Sequence, residues 1–309
     1  MSMKVLIAED DIISCRALEK NLQDWDYEVI VTKNGEEAWD IIRQGGIRLA
    51  ILDWNMPKMD GLELCHKIRN EYQQDKSEYI YLILLTGRDL QEDIITGLSA
   101  GADDYMTKPF SYMELKVRIQ NGVRIIALED SRLKMANTDN LTQMWNRKKI
   151  MEILEEELNR NHREGKTVGV VMLDIDYFKE VNDTHGHITG DKVLIEVASR
   201  LKNTLRNYDQ IGRYGGDELL IVLPNLDISN AQSIGERLRK SVCKEKIETE
   251  ASELTTSISI GISVSDISSK YSAANLIKES DKALYQAKAG GRNRVVVSKA
   301  NKSGVEETQ

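Results

Sequence analysis

The 309-residue chain has few of the residues that build metal centres and disulfide scaffolds. Its three cysteines, Cys15, Cys65 and Cys243, are an odd, widely spaced set with no Cys-x-x-Cys pair. That excludes a disulfide framework or a thiolate zinc site and suits free thiols in a reducing compartment. The four histidines also lack zinc-ligand spacing. No long apolar run is present. Ile80–Leu85 and Val168–Leu173 are six residues each, against the ~20 needed to span a bilayer. The opening segment reaches Glu9-Asp10-Asp11 too soon for a secretory leader, so a cytoplasmic location is expected. A net charge of −8 offers no electrostatic footprint for nucleic acid or an anionic membrane, and neither is expected as a partner. Two common phosphate-binding fingerprints are missing as well. Gly165-Lys166-Thr167 has Arg160 where a P-loop needs its first glycine, and no Gly-x-Gly-x-x-Gly occurs.

What is present is a globular composition, 41% hydrophobic and 30% charged, long enough for about two domains. The acidity is uneven. Residues 1–137 carry 17 Lys and Arg against 24 Asp and Glu, and the remainder 25 against 26. In the first part, short apolar runs at Lys4–Ala8, Tyr27–Val31, Leu49–Leu52, Ile80–Leu85 and Asp104–Thr107 alternate with helical patterns near 11–25, 35–44, 60–71 and 89–99. Such alternation predicts a doubly wound parallel sheet covered on both faces, with ligands at the carboxyl ends of its strands. From Ser111 to Ala136 the pattern is helical. Ile119, Ile126 and Leu133 repeat every seven residues, with Val123 between them and Asp130 at the next equivalent place. This imperfect heptad fits a helical linker (121–137) that pairs with a second copy, forming a homodimer. A last helix packed on its own domain is the alternative.

Residues 138–298 read as an α+β domain. Helices are expected at Arg147–Arg160, Asp191–Leu205, Ala231–Val242 and 272–288. Strands are expected at Val168–Asp176, Ile211–Tyr214, Leu219–Leu223, Thr256–Val264 and Arg294–Val297. Gly215-Gly216 reads as a hairpin turn, which makes this sheet at least partly antiparallel. Residues 299–309 read as a polar tail.

Polar residues stand at four of the five strand ends of the first domain: Glu9 and Asp10, Asp53, Thr86, and Lys108. Converging carboxylates repel unless a cation neutralises them, which implies a hard divalent ion such as Mg²⁺. Asp53 is then a nucleophile toward phosphorus, with the ion and Lys108 offsetting phosphoryl charge and Thr86 bonding the new oxygens. Through Glu9-Asp10, Asp53-Trp-Asn-Met-Pro-Lys-Met-Asp-Gly61, Leu85-Thr86-Gly87 and Lys108-Pro109-Phe110, residues 1–120 resemble a response-regulator receiver domain of flavodoxin-like fold. The resemblance implies phosphorylation of Asp53 by a sensor histidine kinase. It also implies one Mg²⁺ held by Glu9, Asp10, Asp53 and the Asn55 main chain, with Thr86, Tyr105 and Lys108 as switch residues. Gly87 stands where alanine is usual.

In the second domain Asp174 and Asp176, two apart at a strand end, are expected to share a face. The Gly215-Gly216 turn presents Asp217 and Glu218 before another apolar run. If these strands are neighbours, a carboxylate cluster forms that can hold Mg²⁺ against triphosphate oxygens, with Lys179, Lys288 and Arg292 as cations. Five segments make residues 138–298 resemble the GGDEF family of diguanylate cyclases: Asp139–Arg147, Asp174-Ile-Asp-Tyr-Phe-Lys179, Asn182–Asp191, Arg213-Tyr-Gly-Gly-Asp-Glu-Leu219 and Lys288-Ala-Gly-Gly-Arg-Asn293. The resemblance implies that two GTP are joined into cyclic di-GMP with release of two pyrophosphates. It implies Asp217, Glu218 and Lys179 as catalytic residues. Asp174, the Ile175 carbonyl, Asp217 and Glu218 would hold metal: two Mg²⁺ per site, with Mn²⁺ as a substitute. Phe178, Lys179, Asn182, His187, Asp191, Lys288 and Arg292 would bind GTP. Arg206-Asn-Tyr-Asp209 resembles the family's product-inhibition site, with Arg237 as a second guanine-binding arginine. The signature ends in Leu219 instead of Phe, an apolar exchange at a core-facing position. A catalytically impaired cyclic di-GMP receptor is the alternative reading.

Overall fold

The computed structural model describes residues 2–73, 78–87, 91–248, 253–266 and 272–299. The chain divides into two compact units, residues 1–134 and 135–309.

In the first unit β1 (Lys4–Ala8), β2 (Glu28–Thr32), β3 (Leu49–Asp53), β4 (Tyr81–Thr86) and β5 (Asp104–Thr107) form one sheet in the order β2-β1-β3-β4-β5. Every pairing is parallel. Between the strands run α1 (Ile12–Asp24), α2 (Gly35–Gln44), α3 (Gly61–Lys67) with a π-helical turn at Ile68–Tyr72, and α4 (Gln91–Ser99). The 89–90 start expected for this last helix lies outside the described residues. Side-chain caps start three of them: Asp11, Asn34 and Asp60 accept from Ser14, Glu37 and Glu63 main-chain N–H groups. β3 and β4 are buried at every residue, and a separate apolar core lies on each sheet face, as a doubly wound sheet requires. The strand order reverses between β1 and β3, and the crevice at such a reversal is where ligands bind in this fold.

α5 (Tyr112–Asn137) is a single 26-residue helix. The expected heptad seam is corrected here. Ile119 and Ile126 are buried in the first unit's own core, and Val123 packs against it. Gly122 backs onto the Tyr81 ring, and Asp130 accepts from the Arg48 guanidinium at 2.6 Å. The seven-residue spacing is therefore spent largely on the helix's own domain. The large apolar residues of α5 left exposed are Met113, Val117, Ile125, Leu128 and Met135.

The second unit contains α6 (Arg147–Glu164), β6 (Val168–Ile175), α7 (Phe178–His185), α8 (His187–Thr204), β7 (Gln210–Gly215) and β8 (Glu218–Pro224). It continues through α9 (Ile228–Cys243), β9 (Ile247–Glu248), β10 (Glu253–Leu254), β11 (Ile258–Val264), α10 (Ala273–Ala289) and β12 (Val295–Lys299). The main sheet runs β12-β11-β6-β8-β7. It is antiparallel except for the β11–β12 pair. β6 is wholly buried at its centre. Gly261 of β11 lets α10 approach closely: an added Cβ would lie 2.1 Å from the Ser280 carbonyl oxygen. The short α7 and the β9–β10 pair were not expected from the sequence. α7 buries no residue fully and turns only Phe178 and Val181 toward the core, too short an apolar stripe to announce it. Among the described residues no helix is long and apolar enough to cross a membrane. Residues 300–309 of the expected tail lie outside the description.

Candidate functional site

The strand ends of the first unit build a pocket. Ligand oxygens of Glu9, Asp10 and Asp53 lie within 4.8 Å of one another. Glu9 and Asp53 are buried and Asp10 is exposed, so the cluster opens to solvent on one side. The Lys108 ammonium donates to Glu9 Oε2 at 2.6 Å and lies 3.1 Å from Asp53 Oδ1. Asp11 is excluded from the cluster because it caps α1. Burial pushes the Glu9 carboxyl above its usual range; Asp53 adds to this and Lys108 opposes it. Burial would pull Lys108 down, but its bonds to Glu9 and Asp53 outweigh that and raise it. The Lys108 N–H donates to the Thr86 carbonyl at 2.6 Å, joining the loops after β4 and β5. Thr86 is buried, and Tyr105 packs half-buried against the core opposite Leu84. Asn55 is exposed just beyond β3. Three converging carboxylates beside one ammonium fit a hard divalent cation with an open coordination position.

In the second unit β6 and β8 are neighbours, and Asp174 stands opposite Glu218 in register. Asp174 is 9% exposed and accepts from the Lys288 ammonium at 2.7 Å. Burial pushes its carboxyl up to about 6; Lys288 opposes this, while Asp217 and Glu218 add to it. Such crowding of like charge fits a cation, with Ile175 ending the strand beside it. Among the described residues these acids do not close to the 4.8 Å span of the first pocket.

Asp176 keeps the expected shared face: Ser259 stands opposite Asp174 and bonds Asp176 on that face, but Asp176 is held by hydroxyls and not among the acids Asp217 and Glu218. It lies past the strand end and accepts from the hydroxyls of Ser257 and Ser259, both at 2.6 Å. Phe178 packs half-buried on the core, whereas Lys179, His187 and Asp191 are exposed. Asn182 is half-buried: its amide lies where a Cβ on Gly190 would stand, 1.9 Å from Oδ1, so that glycine permits α7 and α8 to meet. The Arg292 guanidinium lies over the Tyr177 ring, 4.7 Å from its centroid. Leu219 is fully buried in the second unit's core.

Arg206, Asp209 and Arg237 line one cleft of about 250 Å³ together with Asn225 and Asn230. The Arg206 N–H donates to Asp209 Oδ2 at 2.9 Å, while its guanidinium donates to the Tyr208 hydroxyl at 2.7 Å. Burial raises the Asp209 carboxyl, and Arg206 and Arg237 oppose this. One pairing was not legible. Arg213 bonds Asp139 at 3.1 Å and donates from Nε to the Gly216 carbonyl at 2.9 Å, bracing the turn that carries Asp217. Both residues belong to recognisable segments, but 74 positions separate them.

A family profile for the response regulator receiver domain matches residues 5–120. A second, for the GGDEF domain of diguanylate cyclases, matches residues 136–294. The chain belongs to the GGDEF diguanylate cyclase family. Diguanylate cyclase A of Treponema denticola is 40% identical over 180 residues, 57% of this chain and 48% of that protein. Response regulator PleD of Caulobacter vibrioides is 30% identical over 302 residues, 95% of this chain and 65% of that protein. The chain thus spans about half to two-thirds of the length of these two relatives. Among solved structures, the coiled coil and GGDEF domain of DgcB from Caulobacter crescentus, in complex with c-di-GMP, is 28% identical. Its TM-score is 0.56, and the match covers 60% of this chain and 98% of that one. The diguanylate cyclase SiaD of Pseudomonas aeruginosa, in complex with its activator SiaC, is 34% identical with a TM-score of 0.51. That match covers 60% of this chain and 74% of that one. As a GGDEF protein with a receiver domain ahead of it, the chain carries its two acidic pockets in separate units.

Proposed function

We propose that this chain is a phosphorylation-activated diguanylate cyclase that condenses two GTP into cyclic di-GMP and two pyrophosphates. The observation that carries the reading is the desolvated Asp174, opposite Glu218 across β6 and β8 and beside Lys288, in a member of this family.

Each catalytic domain holds one GTP, so the working form is a homodimer with two domains facing each other. The 3′-hydroxyl of each GTP attacks the α-phosphorus of the other. A new O–P bond forms, the bond to the β-phosphate oxygen breaks, and pyrophosphate leaves. Catalysis is then chiefly positioning and charge stabilisation. Asp174, the Ile175 carbonyl, Asp217 and Glu218 are the groups that would hold Mg²⁺, two ions per site, which supply positive charge to the triphosphate. Glu218 takes the proton of the attacking hydroxyl. Lys179, Lys288 and Arg292 bind the phosphates. Asn182 and Asp191 read the guanine edge, since a carboxylate accepts from both guanine N1–H and N2–H₂ and adenine offers no such pair. Phe178 and His187 complete the nucleotide site. The buried Leu219 keeps the apolar role that its position requires.

In the receiver, Asp53 accepts the phosphoryl group of a histidine kinase while Lys108 offsets its charge; Glu9, Asp10, Asp53 and the Asn55 main chain would hold one Mg²⁺, which would supply further positive charge there. The added −1.5 to −2 charge repacks Thr86 and Tyr105 and favours the dimer. Product feedback acts at Arg206, Asp209 and Arg237, where an arginine pairs with guanine O6 and N7 and Asp209 with the opposite edge. The c-di-GMP complex of the related DgcB supports product binding by this fold. The test is chromatography of the nucleotides after incubating the chain with GTP and Mg²⁺, with and without acetyl phosphate. A cyclic dinucleotide formed faster with acetyl phosphate is expected. Equal rates would remove the switch, and intact GTP would remove the enzyme.

A further inference from the structure

The turn between α10 and β12 carries Arg292 and is built on two consecutive glycines, Gly290 and Gly291, the latter at φ +112°. A turn of this composition is pliant on its own. Yet the next two residues, Arg292 and Asn293, both hold left-handed backbone at φ 62° and 46°. Tyr177, facing them, does so at φ 58°. Asparagine visits this conformation readily, but Tyr177 and Arg292 keep it only where their surroundings impose it.

The surroundings here are specific. The Asp176 carboxylate is 4% exposed and has three donors: the Ser257 and Ser259 hydroxyls at 2.6 Å, and the Asn293 main-chain N–H at 3.0 Å. One carboxylate oxygen thus ties the end of β6 to the residue after Arg292, across 117 positions of sequence. The Arg292 guanidinium then lies over the exposed ring of Tyr177, directly after Asp176. Four residues earlier, Lys288 bonds Asp174. The end of β6 therefore grips this turn at both of its ends.

We infer that Asp176 and Tyr177 form a clamp that holds Arg292 in place to receive a nucleoside triphosphate. Asp176 pins the backbone, and Tyr177 parks the guanidinium by cation–π contact. Both are positioning residues: neither touches the reacting atoms. The clamp acts on binding, because it removes the ordering cost of an arginine on a two-glycine turn before the ligand arrives. This inference rests on the reading of Arg292 as a phosphate ligand.

The test uses the full chain, guanosine 5′-[α,β-methylene]triphosphate with Mg²⁺ as the binding probe, and steady-state kinetics with GTP. Tyr177→Ala should weaken analogue binding and raise KM by about two- to fivefold, with kcat nearly unchanged. Tyr177→Phe, which keeps the ring face, should bind like the parent. In an Arg292→Ala background, Tyr177→Ala should add nothing, since its effect passes through that guanidinium. Asp176→Asn is expected to act in the same direction, and because Tyr177 is exposed its variants carry the test even if Asp176→Asn misfolds. Unchanged affinity in Tyr177→Ala, or a full additional loss in the Arg292→Ala background, would overturn the clamp. If the parent binds the analogue but forms no cyclic product, the enzymatic reading fails while the clamp is still decided by the binding series. If the parent does not bind the analogue, both are overturned.

Discussion

The two acidic pockets of this chain are built in opposite ways. The receiver pocket is complete within one unit: three carboxylates converge within 4.8 Å, and Lys108 already bridges two of them. The second unit's acidic pocket is open. Its acids are spread along β6 and the β7–β8 turn, Lys288 rests on Asp174, and Lys179, His187 and Asp191 are exposed. A pocket that transfers one phosphoryl group onto itself can be preformed. On the proposed function, the second pocket must join two large nucleotides, which needs room, and takes half of its chemistry from another copy. That reading fits the tighter cluster of acids in the first unit and the looser one in the second.

The largest expected effect comes from removing the proposed general base. Glu218→Gln should lower cyclic di-GMP formation by about 10²–10⁴-fold, while phosphorylation of Asp53, followed by phosphate-affinity electrophoresis, stays intact. Loss of both activities together would break the separation of the two pockets. Next, Asp53→Asn should abolish the rate increase from acetyl phosphate and leave the unstimulated rate unchanged. Arg206→Ala should raise the cyclic di-GMP concentration needed for half-inhibition by about tenfold or more, measured by initial rates at fixed GTP.

The smallest effect is a stability one. The Asp174 carboxyl is raised to about 6, by burial first and then by Asp217 and Glu218, so its charged form costs folding free energy. That cost is absent below the unfolded value near 4 and is complete above about pH 6. Without metal, Asp174→Asn should therefore melt a few degrees higher than the parent at pH 7.5, with the gap closing as pH falls toward 4. A gap that widens at low pH would contradict the desolvated carboxylate.

Much of this was legible in the residues, for identifiable reasons. The continuous apolar runs of β3, β4 and β6 gave buried central strands, because strands covered on both faces need no polar alternation. Asp174 and Glu218 could each be placed at an apolar strand end, but their meeting was conditional on β6 and β8 being neighbours, which the register supplies. Three features were hidden. The heptad in α5 reads the same whether Ile119 and Ile126 face a partner or their own core, and only Tyr81 and Arg48, distant in sequence, decide between them. α7 turns too short an apolar stripe toward the core, so Lys179 and Asn182 could not be assigned to a helix. Asp176 looked equivalent to Asp174 until Ser257, Ser259 and Asn293 claimed it.

The central claim is that the second unit is half of a GTP-joining site. It is tested most directly by counting products against chain concentration, with GTP and Mg²⁺ in excess. The account predicts one cyclic di-GMP for every two pyrophosphates, at a rate per chain that rises with concentration until the homodimer dominates. GTP left intact, or consumed at a concentration-independent rate into a product that is not cyclic di-GMP, would contradict it.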